Sequence, residues 1–471
     1  MRRGKAMHQK SEQLECSELL PRGWGDSSSA TQSGEAGRAT HDTERSGATR
    51  LSMSDLMEQA VARENAMAAF QRVRRNKGSP GIDGMTVDQL EPYLREHWAV
   101  IREQLLAGGY QPSAVKRREI PKSDGGVRGL GIPTVLDRFV QQLLLQVLQP
   151  IFDPTFSKHS HGFRPGRRAH DGVRAAQRYL QGGRQWVVDV DLEKFFDRVN
   201  HDVLMGKLQN RIDDPRVLGL IRRYLVAGIM VNGVVMERHE GTPQGGPLSP
   251  LLANVLLDDV DKELEQRGHR FARYADDCNV YVQSRRAGED VLALLRVLYA
   301  KLRLRINEAK SAVALAWDRK FLGYSFAVAR DGTVRYRVAA KALEELKHQV
   351  RQITRRSGGR SLTQVARDLR SYLRGWKQYF HLAEMPQIFR ALDGWIHRRL
   401  RALQLKQWRH GRTSRRALRA RGLPEWLVQQ GGGHGRRWWR ASTLSALHTA
   451  LPGSYFDRLG VPRLARLTST L

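Results

Sequence analysis

The chain has 471 residues, with 79 Lys or Arg against 48 Asp or Glu, a formal charge of +31. No run of about 18 apolar residues occurs, which excludes a helical membrane span. The two cysteines, Cys16 and Cys278, exclude a disulfide scaffold and a zinc site of paired Cys-x-x-Cys motifs. With 41% hydrophobic residues and ten tryptophans, wholesale disorder is excluded too. The expectation is a soluble intracellular protein of roughly two to four domains, with a polyanion as default partner. The charge is uneven: residues 331–471 hold 29 Lys or Arg and only 8 Asp or Glu, most of the net excess. This predicts a more neutral region that builds a core, followed by a region that grips nucleic acid.

Residues 1–50 contain 17 Ser, Thr or Gly and show no apolar periodicity, so residues 1–54 read as a disordered leader. An apolar signal core is missing, and Glu12, Glu15, Glu18, Asp26, Glu35, Asp42 and Glu44 do not suit a transit peptide. Met1, Met7 and Met53 are all candidate starts. Helical spacing begins near Leu56, and Gly78 to Gly84 is a loop by its glycines and proline. From about 85 to 330, helical patterns alternate with short β-type runs. From about 340 the pattern is nearly all helical, until Gly431-Gly-Gly433 is expected to break it.

Two short segments carry the chemistry. In Gln185-Trp-Val-Val-Asp-Val-Asp191 the β-branched run reads as a buried strand, with Asp189 and Asp191 on one face and Trp186, Val188 and Val190 on the other. Phe271 to Val282 reads as a β-hairpin with Asp276-Asp277 at its turn. An Asp pair alone is an ordinary turn. Carboxylates at the ends of two separate strands can instead converge, and a divalent cation relieves their repulsion. Mg²⁺ takes carboxylate oxygens while keeping places for water and phosphate. Two such ions can activate a 3′-hydroxyl and stabilise leaving pyrophosphate. In a basic chain this points to nucleotidyl transfer.

Tyr274-Ala-Asp-Asp277 resembles the Tyr-x-Asp-Asp hairpin of reverse transcriptases, and the surrounding blocks resemble the bacterial group II intron reverse transcriptase/maturase family. The ordered blocks are Gly78 to Thr86, Ile120 to Thr134, Asp137-Arg138, and His161-Gly-Phe-Arg-Pro-Gly166. They continue with the Asp191 block, Gly241 to Pro250, Asn307-Glu-Ala-Lys310 and Phe321-Leu-Gly-Tyr324. The similarity covers about residues 55–400, and the rest more weakly. It implies an α+β fold: right-hand polymerase fingers and palm with a small antiparallel sheet over residues 55–330, then an all-α thumb or maturase domain over 331–420. Residues 421–471 resemble a short DNA-binding region. The cysteine pairs of the family's HNH endonuclease are not present, since no cysteine follows Cys278.

The resemblance assigns roles. Asp191, Asp276 and Asp277 match the metal-binding carboxylates, with two Mg²⁺ expected. Alternation cannot choose between Asp189 and Asp191; the family pattern chooses Asp191. Asp277 is expected to be secondary to Asp276 in ligation. Phe196, five positions after Asp191, stands where the family has a steric gate under the incoming sugar. Lys122 and Arg128 flank a Gly-Gly turn and would grip the triphosphate. Gln244 and Lys310 match nucleotide-contacting residues, and Ser311 stands where the family commonly has Thr. Ser249 is expected to cap a helix with Pro250 at its first position, and Cys278 to be a small buried strand residue.

Leu362 to Phe380 is the clearest predicted helix, with Leu362, Val365, Leu369, Leu373 and Trp376 as its apolar stripe. Arg367, Arg370, Arg374 and Lys377 form a basic stripe, and Arg398 and Arg399 begin another that runs on through Arg401, Lys406 and Arg409. Interleaved with Trp395, Trp408 and Tyr379, these favour RNA contacts. Gly375 to Phe380 resembles the core of the family's maturase domain. The implied function is an RNA-directed DNA polymerase that copies group II intron RNA and, as maturase, promotes its splicing and mobility. The alternative is a splicing-only maturase with an inactive polymerase. Expected partners are intron RNA, a DNA target or primer and dNTPs, with no membrane; the expected location is the bacterial cytoplasm, at the nucleoid.

Overall fold

A computed structural model describes residues 55–121, 127–231, 234–236, 240–242, 245–433 and 437–466. The predicted leader therefore lies outside the described residues. The described chain forms two compact units. One is built from residues up to Gly172 together with Val188–Val313, the other from Val173–Val187 together with residues from Ala314 onward.

The first unit opens with helices α1 (Leu56–Val61), α2 (Arg63–Asn76) and α3 (Leu90–Leu106). Strands β1 (Val115–Pro121) and β2 (Val127–Ile132) form an antiparallel pair, and α4 (Val135–Phe152) follows. The Thr134 hydroxyl accepts from the Asp137 amide and so caps α4. Asp137 is buried; Tyr110 Oη donates to it at 2.9 Å and Thr134 Oγ1 at 2.7 Å, which satisfies a carboxylate that burial pushes toward its neutral form. Helix α5 (Ala169–Gln181) and strand β3 (Trp186–Val190) are divided between the units, Val173–Val187 belonging to the second; α6 (His201–Gln209), α7 (Pro215–Val226) and the short strands β4 (Ile229–Val231) and β5 (Val234–Met236) follow in the first. Strands β2-β1-β4-β5 make one sheet.

Helix α8 (Ser249–Gln266) precedes β6 (Arg270–Tyr274) and β7 (Asp277–Val282), followed by α9 (Arg285–Lys301) and β8 (Ala312–Leu315). These strands and β3 make a second sheet in the order β6-β7-β3-β8. Its core is apolar: Val187, Val188, Val190, Phe271, Ala272, Cys278 and Val280 are all buried. Both faces of β3 are therefore covered, and β3 sits between partners, as its β-branched run requires.

The second unit holds the antiparallel hairpin β9 (Tyr324–Val328) and β10 (Val334–Val338), then α10 (Ala340–Ile353), α11 (Leu362–Tyr379), α12 (Pro386–Gln407), α13 (Gly411–Arg419) and α14 (Glu425–Gly432). Helix α11 starts on a capping box in which Ser361 and Gln364 satisfy each other's backbone amides. Its predicted stripe is buried at Leu362, Val365, Leu369 and Leu373. The glycine run ends the helix as expected: Gly431 and Gly432 are the last two residues of α14 and Gly433 is its C-cap. A β-carbon on Gly431 would sit 2.5 Å from Leu418 Cδ1, and one on Gly432 2.3 Å from Arg415 Cγ. These glycines allow α13 and α14 to pack closely. Among the described residues no helix is long and apolar enough to cross a membrane.

Candidate active site

In the hairpin β6–β7, Tyr274 pairs with Asp277, so Ala275 and Asp276 are its two-residue turn. Ala275 has φ +58°. Tight hairpin turns favour positive φ because it matches the strand twist, but a residue with a β-carbon adopts it at a cost. A buried cation offsets that cost. Arg273 Nη1 donates to the Ala275 carbonyl at 2.9 Å and to Asn254 Oδ1 at 2.9 Å. Arg273 Nε donates to Asp261 Oδ1 at 2.7 Å, and Nη2 to Ser160 Oγ at 2.8 Å. Arg273 is 1% exposed and Asp261 not at all, so the pair is tolerable only because the guanidinium is ligated all round. Asn254 and Asp261 are seven residues apart, two turns along one face of α8.

The same arginine fixes the motif His161 to Gly166. The His161 amide donates to the Arg273 carbonyl at 2.8 Å, and the Arg273 amide to the His159 carbonyl at 3.0 Å. Asn254 Nδ2 donates to the Gly162 carbonyl at 2.9 Å. A β-carbon on Gly162 would lie 2.3 Å from the Ala275 nitrogen, so this contact with the turn admits only glycine. Arg164 donates to Asp153 Oδ1 (2.8 Å) and to the Ser157 carbonyl (2.7 Å). Between these anchors Phe163 has φ +59° and stays 37% exposed.

Asp191 directly follows β3, the strand next to β7 in the sheet. Its amide donates to Ser311 Oγ at 3.0 Å and its carbonyl accepts from the Asn307 amide at 2.8 Å. Ser311 thus holds the Asp191 backbone. Lys310 Nζ stands 3.7 Å from Asp191 Oδ2. Asp189 is placed differently: with the Asn279 amide turned to donate, its nitrogen is 3.0 Å from Asp189 Oδ1, a cross-strand contact. The Asp191 side chain is 35% exposed and Asp277 is exposed, so both are reachable from solvent. In donor type, Asp191, Asp276 and Asp277 suit a hard divalent cation. Among the described residues, however, no group of three or more His, Cys, Asp or Glu is drawn close enough to hold one.

Phe196 lies in a short 3-10 turn and is 8% exposed. Its ring meets Phe195 at 5.0 Å and Phe163 at 6.5 Å between centroids. Cys278 is fully buried, and burial pushes its thiol up to about 12, which removes it as a nucleophile. Lys122, Gln244 and the Arg128 side chain lie outside the described residues; the backbone of Arg128, in β2, pairs with that of Ile120 in β1. The cap of α8 differs from expectation. Leu248 is the N-cap, and its carbonyl accepts from Leu251 and Leu252, while the Ser249 hydroxyl is engaged by Thr242 at 3.0 Å. A recess of about 700 Å³ lined by Trp317, Phe326, Val338, Leu343 and Met385 lies in the second unit and includes none of the predicted carboxylates.

In the second unit the basic residues divide. Arg367 and Arg374 are exposed on α11. Arg370 is exposed, but its guanidinium donates to the carbonyls of Gly460 (3.0 Å) and Leu459 (3.1 Å). Lys377 departs from the expected outward stripe: it is 9% exposed, its ammonium 4.3 Å from the centre of the Phe389 ring. Arg398 lies 4.0 Å over the Trp439 ring, and Arg399 Nε donates to Thr354 Oγ1 at 2.6 Å. Both are half-buried, partly committed to holding the unit together.

Sequence reasoning did not single out Arg273, Asp261, Asn254 or Phe163 for roles. The available signals were a cation inside an apolar strand just before the Asp pair, and polar residues seven apart on an otherwise apolar helix.

Comparison with known proteins gives two family matches: reverse transcriptase (RNA-dependent DNA polymerase) over residues 120–326, and the group II intron maturase-specific domain over residues 343–422. Protein YkfC of Escherichia coli strain K12 is 33% identical over 274 residues, covering 50% of this chain and 72% of that protein. Group II intron-encoded protein LtrA of Lactococcus lactis subsp. cremoris is 36% identical over 206 residues, covering 44% of this chain but only 34% of that protein. Among solved structures, a partial Cas6-RT-Cas1–Cas2 complex aligns at 27% identity with a TM-score of 0.34, covering 52% of this chain and 42% of that chain; the likeness is too small to compare the folds.

Proposed function

The chain belongs to the group II intron-encoded reverse transcriptase and maturase family, and from that premise we propose that it copies intron RNA into DNA at the Asp191, Asp276 and Asp277 carboxylates and, through its second unit, binds the same RNA to assist splicing. The observation that carries the polymerase reading is the pinned Ala275-Asp276 turn. A fully buried Arg273 holds the carbonyl of Ala275, so the aspartates are presented on rigid backbone rather than on a free loop.

In this reading Asp191, Asp276 and Asp277 would hold two Mg²⁺ ions, which when bound would activate the primer 3′-hydroxyl and stabilise the leaving pyrophosphate. The chain's own residues do the rest. Lys310, beside Asp191, helps neutralise the triphosphate, together with Lys122 and Arg128. Gln244 contacts the nucleotide, and Phe196 excludes a 2′-hydroxyl. Arg367 and Arg374 supply exposed charge for intron RNA, with further contacts from Arg370, Arg398 and Arg399. A DNA primer or target completes the substrate set.

The test is extension of oligo(dT) on poly(rA) with Mg²⁺, comparing the wild-type chain with Asp276→Ala. The expected result is extension by wild type and a loss of roughly 10³-fold in the variant. No extension by either, with intron RNA still bound, would favour a splicing-only maturase.

A further inference from the structure

We propose that Phe163 is a specificity-determining residue of the polymerase site, its ring packing against the apolar face of the incoming nucleotide's sugar. This rests on the polymerase reading above.

Phe163 combines three features that ordinary surface packing does not call for. Its backbone is left-handed, at φ +59°, a conformation disfavoured for a bulky side chain. The residue is 37% exposed, although its neighbours on either side are held tightly. Lastly, its ring approaches two aromatic residues of the site, 6.5 Å from Phe196 at 63° and 6.4 Å from Tyr274 at 44°. Strained backbone at a rigid site is a pointer to function when the surroundings over-determine it. Here they do. Gly162 touches the Ala275 turn so closely that no β-carbon fits, and Asn254 holds the Gly162 carbonyl. On the other side Arg164 is locked to Asp153, Ser157 and Ser160. The local structure therefore fixes one exposed ring at the aspartate hairpin.

Aromatic faces recognise flat or apolar surfaces at low entropic cost because the side chain has few rotamers. In a nucleotide site such a surface is offered by a base or by the carbon face of a sugar. Phe163 meets Phe196, the residue expected beneath the sugar, so the sugar is the assigned partner. Removing the ring then weakens nucleotide binding and also lets Phe196 relax, which loosens selection against a 2′-hydroxyl.

The experiment is steady-state primer extension by the full chain on poly(rA)/oligo(dT) with Mg²⁺, using dTTP and UTP, for wild type, Phe163→Ala, Phe163→Leu and Phe163→Tyr, with thermal melts of each. Phe163→Ala should raise KM for dTTP by roughly five- to ten-fold, leave kcat within about two-fold of wild type, and lower the preference for dTTP over UTP. Phe163→Leu keeps apolar volume without the ring and should shift the same way, so the test survives if the alanine variant melts early. Phe163→Tyr should restore the wild-type KM. An unchanged KM and sugar preference in the alanine and leucine variants would overturn the assignment, as would weaker primer-template binding with KM for dTTP unmoved. No extension by the wild-type chain would overturn the polymerase reading itself, and this assignment with it.

Discussion

The guanidinium of Arg273 donates to the carbonyl of Ala275, two residues further along the chain and at the turn that carries Asp276. The same side chain is paired with Asp261 in a fully buried site. Removing one partner leaves an uncompensated charge, so Arg273→Met should cost about 3–5 kcal/mol of stability, read as a drop in the urea midpoint. Replacing both, Arg273→Met with Asp261→Leu, should recover most of that loss, because an apolar pair needs no desolvation. Primer extension should nevertheless stay low in the double variant, since nothing then holds the Ala275 carbonyl. Full activity in a stable double variant would show that the pair serves folding alone.

Phe196 leads to a second prediction. Its ring is 8% exposed and is braced by Phe195 and Phe163 at centroid distances of 5.0 and 6.5 Å. A braced ring cannot swing away from a 2′-hydroxyl, which is what steric selection requires. Phe196→Ala should therefore raise ribonucleotide incorporation, measured as the ratio of kcat/KM for UTP and dTTP on poly(rA)/oligo(dT). Unchanged sugar selectivity would remove Phe196 from the gate.

A pH dependence follows from His161. Both its ring nitrogens are buried without a hydrogen-bond partner, and burial, with Arg167 nearby, lowers its pKa to about 4. The unfolded chain, with histidine near its ordinary value of about 6.5, binds the proton first as pH falls. Stability should therefore decline as pH drops from about 6.5 toward 4, and be unaffected by this residue above that window. In His161→Leu the slope between those pH values should be shallower than in wild type, as read from urea midpoints across the range. Parallel slopes would show that His161 is protonated in the folded state.

How much of this was legible beforehand depends on the range of the interaction. The β3 strand and helix α11 follow from local periodicity, and Leu362, Val365, Leu369 and Leu373 are buried as their spacing requires. The β6–β7 hairpin follows from the short Asp-rich link between two β-type runs, although its turn is Ala275-Asp276 and Asp277, expected at the turn, opens β7. Arg273 was not legible because a lone cation reads as exposed; its burial depends on Asp261, twelve residues away on another element. Lys377 was misplaced for a related reason: helical spacing gives an angle around the axis but not the depth of the neighbour, and Phe389 is close enough to cover the ammonium. The end of α14 at Gly431 to Gly433 follows from propensity, whereas the close packing of Gly431 on Leu418 and of Gly432 on Arg415 depends on another helix.

The split between buried and exposed cations on α11 is itself testable. Lys377 lies over Phe389, and burial lowers its pKa, so it contributes little field to a ligand outside. Methionine fills a similar volume without needing a counter-charge. Lys377→Met should keep stability within about 1.5 kcal/mol of wild type and leave affinity for a folded group II intron RNA unchanged. Arg367 and Arg374 are exposed, and each phosphate contact releases counterions. Arg367→Ala with Arg374→Ala should weaken RNA binding and reduce the slope of log affinity against log salt by about two. Filter binding across a salt series reads both quantities. A loss of affinity in Lys377→Met with an unchanged slope in the double arginine variant would reverse the assignment, placing the RNA on the Phe389 side of the helix.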